Sequence, residues 1–396
     1  MRILVISNLF PPHVLGGCEI LCAQACAALR AAGHEIAVLT SDHGRTGGER
    51  DAFPVQRRLR LVRPFAEAGR LDRLRRLRVG REAYRITRDV IAAAQPEVVF
   101  VWNLLRLTVG PARAAQDSGL PVAYSFNDEN VASYAPVPFA LSPRRVAGWL
   151  ADRVVLPRLT VRGLDFAHST CISAQLKQRL LGRGLAVEAA RVIYQGIPVG
   201  SFPEKAPRPA SRPARVLYAG QLVESKGIPT LIEAAHRIAR EAPQAIELFL
   251  AGAGPAEVEE RLRALAAAGP ARVHFLGRVP HAAMPALHRD HDFFVFPSIG
   301  PEAFGLTHLE AMASGTPVVS TATGGQGEFL RDGENALVFA PGDAAGLAAA
   351  LLRLLDDPAR AAALARTARA QVEREFSLDR YVAQLGGLLE EARGRR

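Results

Sequence analysis

Short runs of β-branched and aliphatic residues alternate along the chain with longer stretches in which apolar positions recur every three or four residues. Arg2–Asn8 reads as a buried parallel strand, a Pro/Gly loop follows, and the apolar positions over about 17–32 predict a helix stopped by Gly33. Ile36–Thr40, Val98–Asn103, Pro121–Phe126 and His168–Ser173 continue the series as strands, with helical segments between them. The alternation stops near Gly196. Residues 198–213 then carry five prolines, which predicts a stiff, exposed linker. Strands restart at Val216–Gly220, Glu247–Gly252, Val273–Gly277, Phe293–Ser298 and Pro317–Thr321, with a helix expected over 227–241. Ala-rich helices are expected over 343–356 and 359–375, and a last one from Leu378 to Ala392. The expected architecture is two consecutive doubly wound α/β domains, 1–197 and 214–376, joined by the linker 198–213 and followed by a helix in 377–396.

Composition narrows the class. With 49% hydrophobic and 22% charged residues over 396, the chain can bury a sizeable core, and wholesale disorder is excluded. The net charge of +10 is carried by arginine; lysine occurs only at 177, 205 and 226, so a lysine at a strand end stands out. Four cysteines exclude a disulfide-dense scaffold. Cys18, Cys22 and Cys26 read as the apolar stripe of the first helix, and no His or acidic cluster completes a tetrahedral metal site beside them. Reduced thiols, and a first strand starting at Arg2, lead to the expectation of a cytoplasmic protein, and the longest uncharged stretch, Ala311–Gly327, is too rich in Gly, Ser and Thr to span a membrane. From Arg57 to Arg88 twelve arginines face only Glu67, Asp72 and Glu82, with Leu59, Leu61, Leu71, Leu74 and Leu77 interleaved. The segment reads either as a solvated charged face or as a basic amphipathic surface that docks on anionic lipid. Nucleic acid is not expected, because aromatics are scarce there and no helix-turn-helix, zinc or RNA-binding signature occurs.

Three segments carry candidate chemistry. In Pro11–Glu19, Gly16 and Gly17 lie between a strand and a helix, where backbone amides can approach a phosphate. Gly220–Gly227 starts at a strand's carboxyl end, where open α/β sheets bind ligands, and places Lys226 just before a helix as a compact cation. In Pro297–Ala311 a loop carrying Glu302 leads into a helix whose first amides, Gly305 and Leu306, are free to face a phosphate. Glu310 lies five residues further, about 7.5 Å along the axis, a suitable reach from a diphosphate to a ribose. A GxGxxG fingerprint is absent; Gly252-Ala253-Gly254-Pro255 lacks the third glycine, which speaks against a dinucleotide dehydrogenase.

These residues resemble the retaining glycosyltransferases of family 4, over nearly the whole chain and most strongly from about 215 to 342. Glu302 and Glu310 match the family's E-x7-E motif, and Gly16, Gly17 and Glu19 its GG-x-E loop. Gln221 and Lys226 stand where the family has an Arg and a Lys on the donor diphosphate, and Gly315–Ser320 and Gly324–Glu328 resemble its next strand and loop. The resemblance implies a GT-B fold, two Rossmann-like domains facing a cleft, with a final helix crossing back to the N-terminal domain. It implies retaining transfer from a nucleotide-sugar, UDP- or GDP-linked, to a hydroxyl of a glycan or lipid-linked acceptor in cell-surface polysaccharide or glycolipid synthesis. No cofactor and no metal is implied, since a DxD-type carboxylate pair is not evident and Lys226 with helix dipoles can serve. On this reading Glu302, Lys226 and Asp128 are catalytic, and Gly16, Gly17, Gln221, Lys226, Glu302, Phe304, Gly305, Leu306 and Glu310 bind the donor. The acceptor side would work at the inner face of a membrane through Arg57–Arg88. Two departures accompany the match: Gln221 replaces the usual Arg, and Asn127 stands where many members have an active-site His, with Trp102-Asn103 in place of a His-containing pair. Asp128, next in the chain, and His13 in the first loop are the candidates to substitute. The rival readings are a nucleotide-sugar epimerase of the same architecture and a catalytically impaired nucleotide-sugar-binding protein.

Overall fold

The computed structural model describes residues 1–394 apart from 46, 48–50, 52, 63–71, 137–141, 143–145, 147–148, 151–158, 207–209 and 243–244. The chain divides into two compact units, Met1–Ile193 with Val382–Arg396, and Tyr194–Tyr381.

In the first unit seven parallel strands, β1 (Arg2–Ile6), β2 (Glu35–Ser41), β3 (Val55–Leu59), β4 (Val98–Val101), β5 (Val122–Phe126), β6 (Ser169–Cys171) and β7 (Arg191–Val192), line up in the order β3-β2-β1-β4-β5-β6-β7. Helices α1 (Gly17–Ala31), α2 (Asp72–Ala94), α3 (Gly110–Asp117) and α4 (Ala174–Gly182) connect them. Near-continuous apolar runs such as Ile3–Ile6 and Val98–Val101 are buried throughout, as strands covered on both faces must be. Cys22 and Cys26 lie in the core on the inner side of α1, the packing role expected of a small hydrophobe.

The second unit has six parallel strands, β8 (Ala214–Ala219), β9 (Ile246–Ala251), β10 (Arg272–Gly277), β11 (Phe293–Phe296), β12 (Val318–Ser320) and β13 (Leu337–Val338), in the order β10-β9-β8-β11-β12-β13. Its helices are α5 (Ile228–Glu241), α6 (Ala256–Ala267), α7 (Met284–Asp290), α8 (Leu306–Ala313), α9 (Ala344–Asp356) and α10 (Pro358–Glu375). Helix α5 buries Ile228, Leu231, Ile232 and Ile238, a stripe in which each side chain contributes about 1.5–3 kcal/mol. Asp343 and Asp357 cap α9 and α10 by accepting from the amides of Gly346 and Arg360. The last helix, α11 (Leu378–Gly394), leaves the second unit at Tyr381; from Val382 on it groups with the first, where Arg393 and Glu391 pair with Glu97 and Arg191.

In both sheets the strand order reverses once, between β1 and β4 and between β8 and β11. At such a point the loops leaving the two carboxyl ends diverge and open a crevice. The candidate loops 7–16, 220–227 and 297–305 all leave one of these four strands.

Two expectations fail. The stretch 198–213 is not an exposed linker: its described part packs on the second unit. Phe202 is 1% exposed, and Lys205 donates to the His291 carbonyl and, through its amide, to Ser314 O. Pro198, Pro203 and Pro213 stiffen the described backbone, but an apolar ring and hydrogen-bonding partners bring it onto the domain. The Arg-rich segment is also not one continuous lipid-facing surface. Arg57 is buried and donates to the carbonyls of Phe10 and Pro11 and to Asp51, while Leu59 and Leu61 lie in the core. This is β3, whose polar sequence hid a strand. Leu71 falls outside the described residues, as does the side chain of Leu74. Helix α2 does present a basic stripe: Arg75, Arg78, Arg81, Arg85 and Arg88 are exposed at helical spacing, about 20 Å from end to end. Arg76 instead lies over the Tyr134 ring, 5.8 Å from its centre.

Candidate active site

The centre of the second unit's site is an ion pair across the β8/β11 crevice. Lys226 Nζ donates to both carboxylate oxygens of Glu302, each at 2.7 Å. Lys226 ends a short 3-10 turn, and Gly227 follows with φ +64°, where a Cβ would come within 2.1 Å of the Pro297 carbonyl. Only glycine lets the two loops approach this closely. The loops are strapped together by the Ser225 carbonyl, which accepts from the amides of Ile299 (2.9 Å) and Gly300 (3.0 Å). Ser298, fully buried at the end of β11, donates to Glu302 Oε1.

Glu302 leads into α8. Gly305 caps that helix with φ +123°, and a Cβ there would meet His308 Nδ1 at 2.7 Å. Burial, aided by the Lys226 charge, pushes the His308 imidazole down to about 3; it is neutral, with Nε2 2.9 Å from Ser320 Oγ. It therefore adds no charge beneath the first turn of α8, whose amides and dipole favour an anion. Phe304 was expected to touch a donor, and the structure corrects this. Its ring is 2% exposed, stacked on Tyr194 at 5.6 Å and packed edge-on to Phe329 and Phe376, so it anchors the loop instead. Gln221 is exposed beyond β8, its carbonyl accepting from Tyr218 Oη.

Glu310 sits on the inward side of α8, 5% exposed. Two residues that the sequence reading missed face it. His281 Nε2 is 3.1 Å from Oε1, and His288 Nε2 is 3.7 Å from Oε2. Burial pushes the Glu310 carboxyl up, but the two imidazoles outweigh it, and the net shift is down. Its contact with Glu310 raises His281 correspondingly. The carboxylate is thus held ionised, with Oε1 already occupied by protein. No sequence signal pointed to these histidines, since they reach α8 from a separate loop and helix.

In the first unit the Gly-rich loop ends at Gly16, the N-cap of α1. Its amide donates to Glu19 Oε2 at 3.0 Å, and the Leu15 amide approaches the same oxygen at 3.3 Å. This corrects the expectation for Gly16: its amide is engaged by a capping carboxylate rather than free for a phosphate. Gly17 is the first residue of the helix proper. His13 packs against Gly44, on the loop that follows β2.

At the ends of β4 and β5, Asn127 is buried and its Nδ2 donates to the Trp102 carbonyl at 2.8 Å, tying the two strand ends together. Asp128, half-buried beside it, accepts from the Asn130 amide at 2.7 Å, and burial raises its carboxyl. Asn103, Ser125 and Val131 share the recess with Asp128. Among the described residues no group of three His, Cys, Asp or Glu is placed to hold a metal ion, and no helix is long and apolar enough to cross a membrane.

Two family models match: Glycosyl transferases group 1 over residues 203–371 and Glycosyltransferase Family 4 over 15–200. Glycogen synthase from Mycobacterium tuberculosis is 30% identical over 413 aligned residues, covering 95% of this chain and 91% of the relative. A phosphatidyl-myo-inositol mannosyltransferase from Mycolicibacterium smegmatis is 27% identical, covering 89% and 85%. Among solved structures, sucrose-phosphate synthase from Thermosynechococcus elongatus aligns over 100% of both chains with a TM-score of 0.75 at 23% identity. Anabaena HepE in complex with UDP and glucose aligns over 98% of this chain and 99% of its own, with a TM-score of 0.71 at 22% identity. These likenesses identify the fold as GT-B.

Proposed function

The chain belongs to the family 4 glycosyltransferases, and on that premise we propose that it is a retaining enzyme moving a sugar from a UDP- or GDP-sugar to a hydroxyl of a glycan or lipid-linked acceptor. The observation that carries this reading is the Lys226–Glu302 pair at the strand reversal of the second unit, beside the first turn of α8. A cation and a helix N-terminus there suit a diphosphate, and the neighbouring carboxylate suits sugar hydroxyls. That HepE has been solved with UDP and glucose supports a nucleotide-sugar donor.

In the reaction the anomeric carbon exchanges its bond to the diphosphate oxygen for one to the acceptor oxygen on the same face. Negative charge grows on the leaving phosphate, where Lys226 and the amides of Gly305 and Leu306 stabilise it. Glu302 orients donor hydroxyls, and Glu310 accepts from the ribose. The leaving phosphate takes the acceptor's proton, so a histidine at position 127 is not required. Asp128 orients the acceptor hydroxyl. The charge neutralisation assigned to Lys226 and α8 requires no metal.

A thermal-shift panel of UDP-, GDP- and ADP-sugars tests the reading, followed by incubation of the best binder with glycan and lipid-linked acceptors. The expected result is stabilisation by UDP- or GDP-sugars and acceptor-dependent release of nucleoside diphosphate. Sugar isomerisation without acceptor points to an epimerase, and binding without turnover to a donor-binding protein; either outcome rejects the proposal.

The stripe Arg75, Arg78, Arg81, Arg85 and Arg88, in the unit assigned to the acceptor, supports docking on an anionic membrane and hence a role in cell-surface polysaccharide or glycolipid synthesis. Each basic side chain near such a surface contributes about 1 kcal/mol. The protein is expected to co-sediment with anionic but not neutral vesicles, and to lose this at high salt or when Arg75, Arg78, Arg81 and Arg85 become Gln. Equal recovery with both vesicle types, or none with either, removes the membrane assignment.

A further inference from the structure

The two members of the central ion pair are not equally free to move. Glu302 is fixed from several sides: Ser298 donates to its carboxylate, its carbonyl accepts from the Gly325 amide at 2.8 Å, and Phe304 two residues on is locked in the core. Lys226 reaches the carboxylate along a four-carbon stem from an exposed turn, with Nζ 5.2 Å from the Phe296 ring centre, and only the ammonium end meets Glu302. Two of its three protons already serve the two carboxylate oxygens. A diphosphate arriving at this site therefore meets a cation that is neutralised and an anion that repels it.

We propose that Glu302 selects the sugar-bearing donor over the bare nucleoside diphosphate by competing with the diphosphate for Lys226. This rests on the donor-site reading above. With a nucleotide-sugar, Lys226 swings to the diphosphate and the freed carboxylate is taken up by the donor's sugar hydroxyls, so both charges keep partners. With the nucleoside diphosphate alone, the move leaves Glu302 beside the phosphates with no hydroxyl to receive it. After sugar transfer the carboxylate regains its claim on Lys226, and the leaving nucleotide is released. Ser298 is a positioning residue in this scheme, because it holds the carboxylate on the line between lysine and sugar.

The test is calorimetry on the full chain with UDP, GDP and ADP and the corresponding nucleotide-sugars, for the wild type and Glu302→Gln, Ser298→Ala and Lys226→Ala. Glu302→Gln keeps the shape but removes the competing charge. It should bind the bare nucleoside diphosphate about five- to tenfold more tightly, the scale of one net hydrogen bond. The nucleotide-sugar should bind no tighter, so the preference for donor over product shrinks by at least about fivefold. Ser298→Ala should move the preference in the same direction by less, and it carries the test if the Glu302 variant does not fold. If Lys226→Ala weakens binding while Glu302→Gln and Ser298→Ala leave the donor-to-product ratio unchanged, the donor site stands and the competition is wrong. If none of the four chains binds any nucleotide, the donor-site reading fails and the competition with it.

Discussion

Lys226→Ala is expected to lower the sugar-transfer rate constant by about two to three orders of magnitude, the range seen when a group that stabilises developing charge is removed. Donor affinity should fall less, because charge on the leaving phosphate is greatest in the transition state. Two effects combine. The cation nearest the proposed phosphate is lost, and Glu302, freed of its partner at 2.7 Å, turns an uncompensated carboxylate toward the same space. The resemblance to family 4 sharpens the expectation, since Gln221 stands where a second cation is usual and leaves Lys226 to carry more of the charge. The double variant Lys226→Ala/Glu302→Gln should therefore bind donor better than Lys226→Ala alone. Tm should fall in Lys226→Ala and recover in part in the double variant, because the pair is only 20% and 12% exposed and the single variant leaves the carboxylate without its counter-charge. Single-turnover rates, donor affinities and Tm for the three chains check this; an unaltered rate constant in Lys226→Ala removes the lysine from the mechanism.

Glu310→Ala should weaken nucleotide binding by about 1.5–3 kcal/mol, roughly ten- to 150-fold, the loss for hydrogen bonds to a charged acceptor. The diagnostic is the sugar of the nucleotide. Wild-type protein should prefer the ribonucleotide over its 2′- and 3′-deoxy forms, and the variant should not distinguish them. His281, 3.1 Å from the carboxylate, also loses its counter-charge, so Tm should fall as well. A variant with wild-type affinity, or one that still selects the ribose, places the ribose contact elsewhere.

The alternation of apolar runs and amphipathic stretches was enough to read two doubly wound domains, because a parallel strand covered on both faces must be apolar throughout and its crossover helix must carry one apolar stripe. Lys226 and Glu302 were singled out by the glycines in the loops after two strand ends, and Glu310 by its spacing along the helix that follows; the structure gathers all three around one strand reversal. Local pattern failed where burial depended on distant partners. The polar β3 buries Arg57 because the carbonyls of Phe10 and Pro11 and the Asp51 carboxylate receive its guanidinium. Phe304 looked like a ligand contact until Tyr194, Phe329 and Phe376 closed around it. The sequence by itself determined which elements form and which residue types stand at the carboxyl ends of their strands. Only the tertiary structure decided which of those groups meet. It set Lys226 against Glu302 across 76 positions of chain, brought His281 to Glu310, and gave the Gly16 amide to Glu19 rather than to a ligand. The physical reason is that a hydrogen bond or ion pair depends on separation in space. That separation is fixed by strand order and loop packing, which no local run of residues encodes.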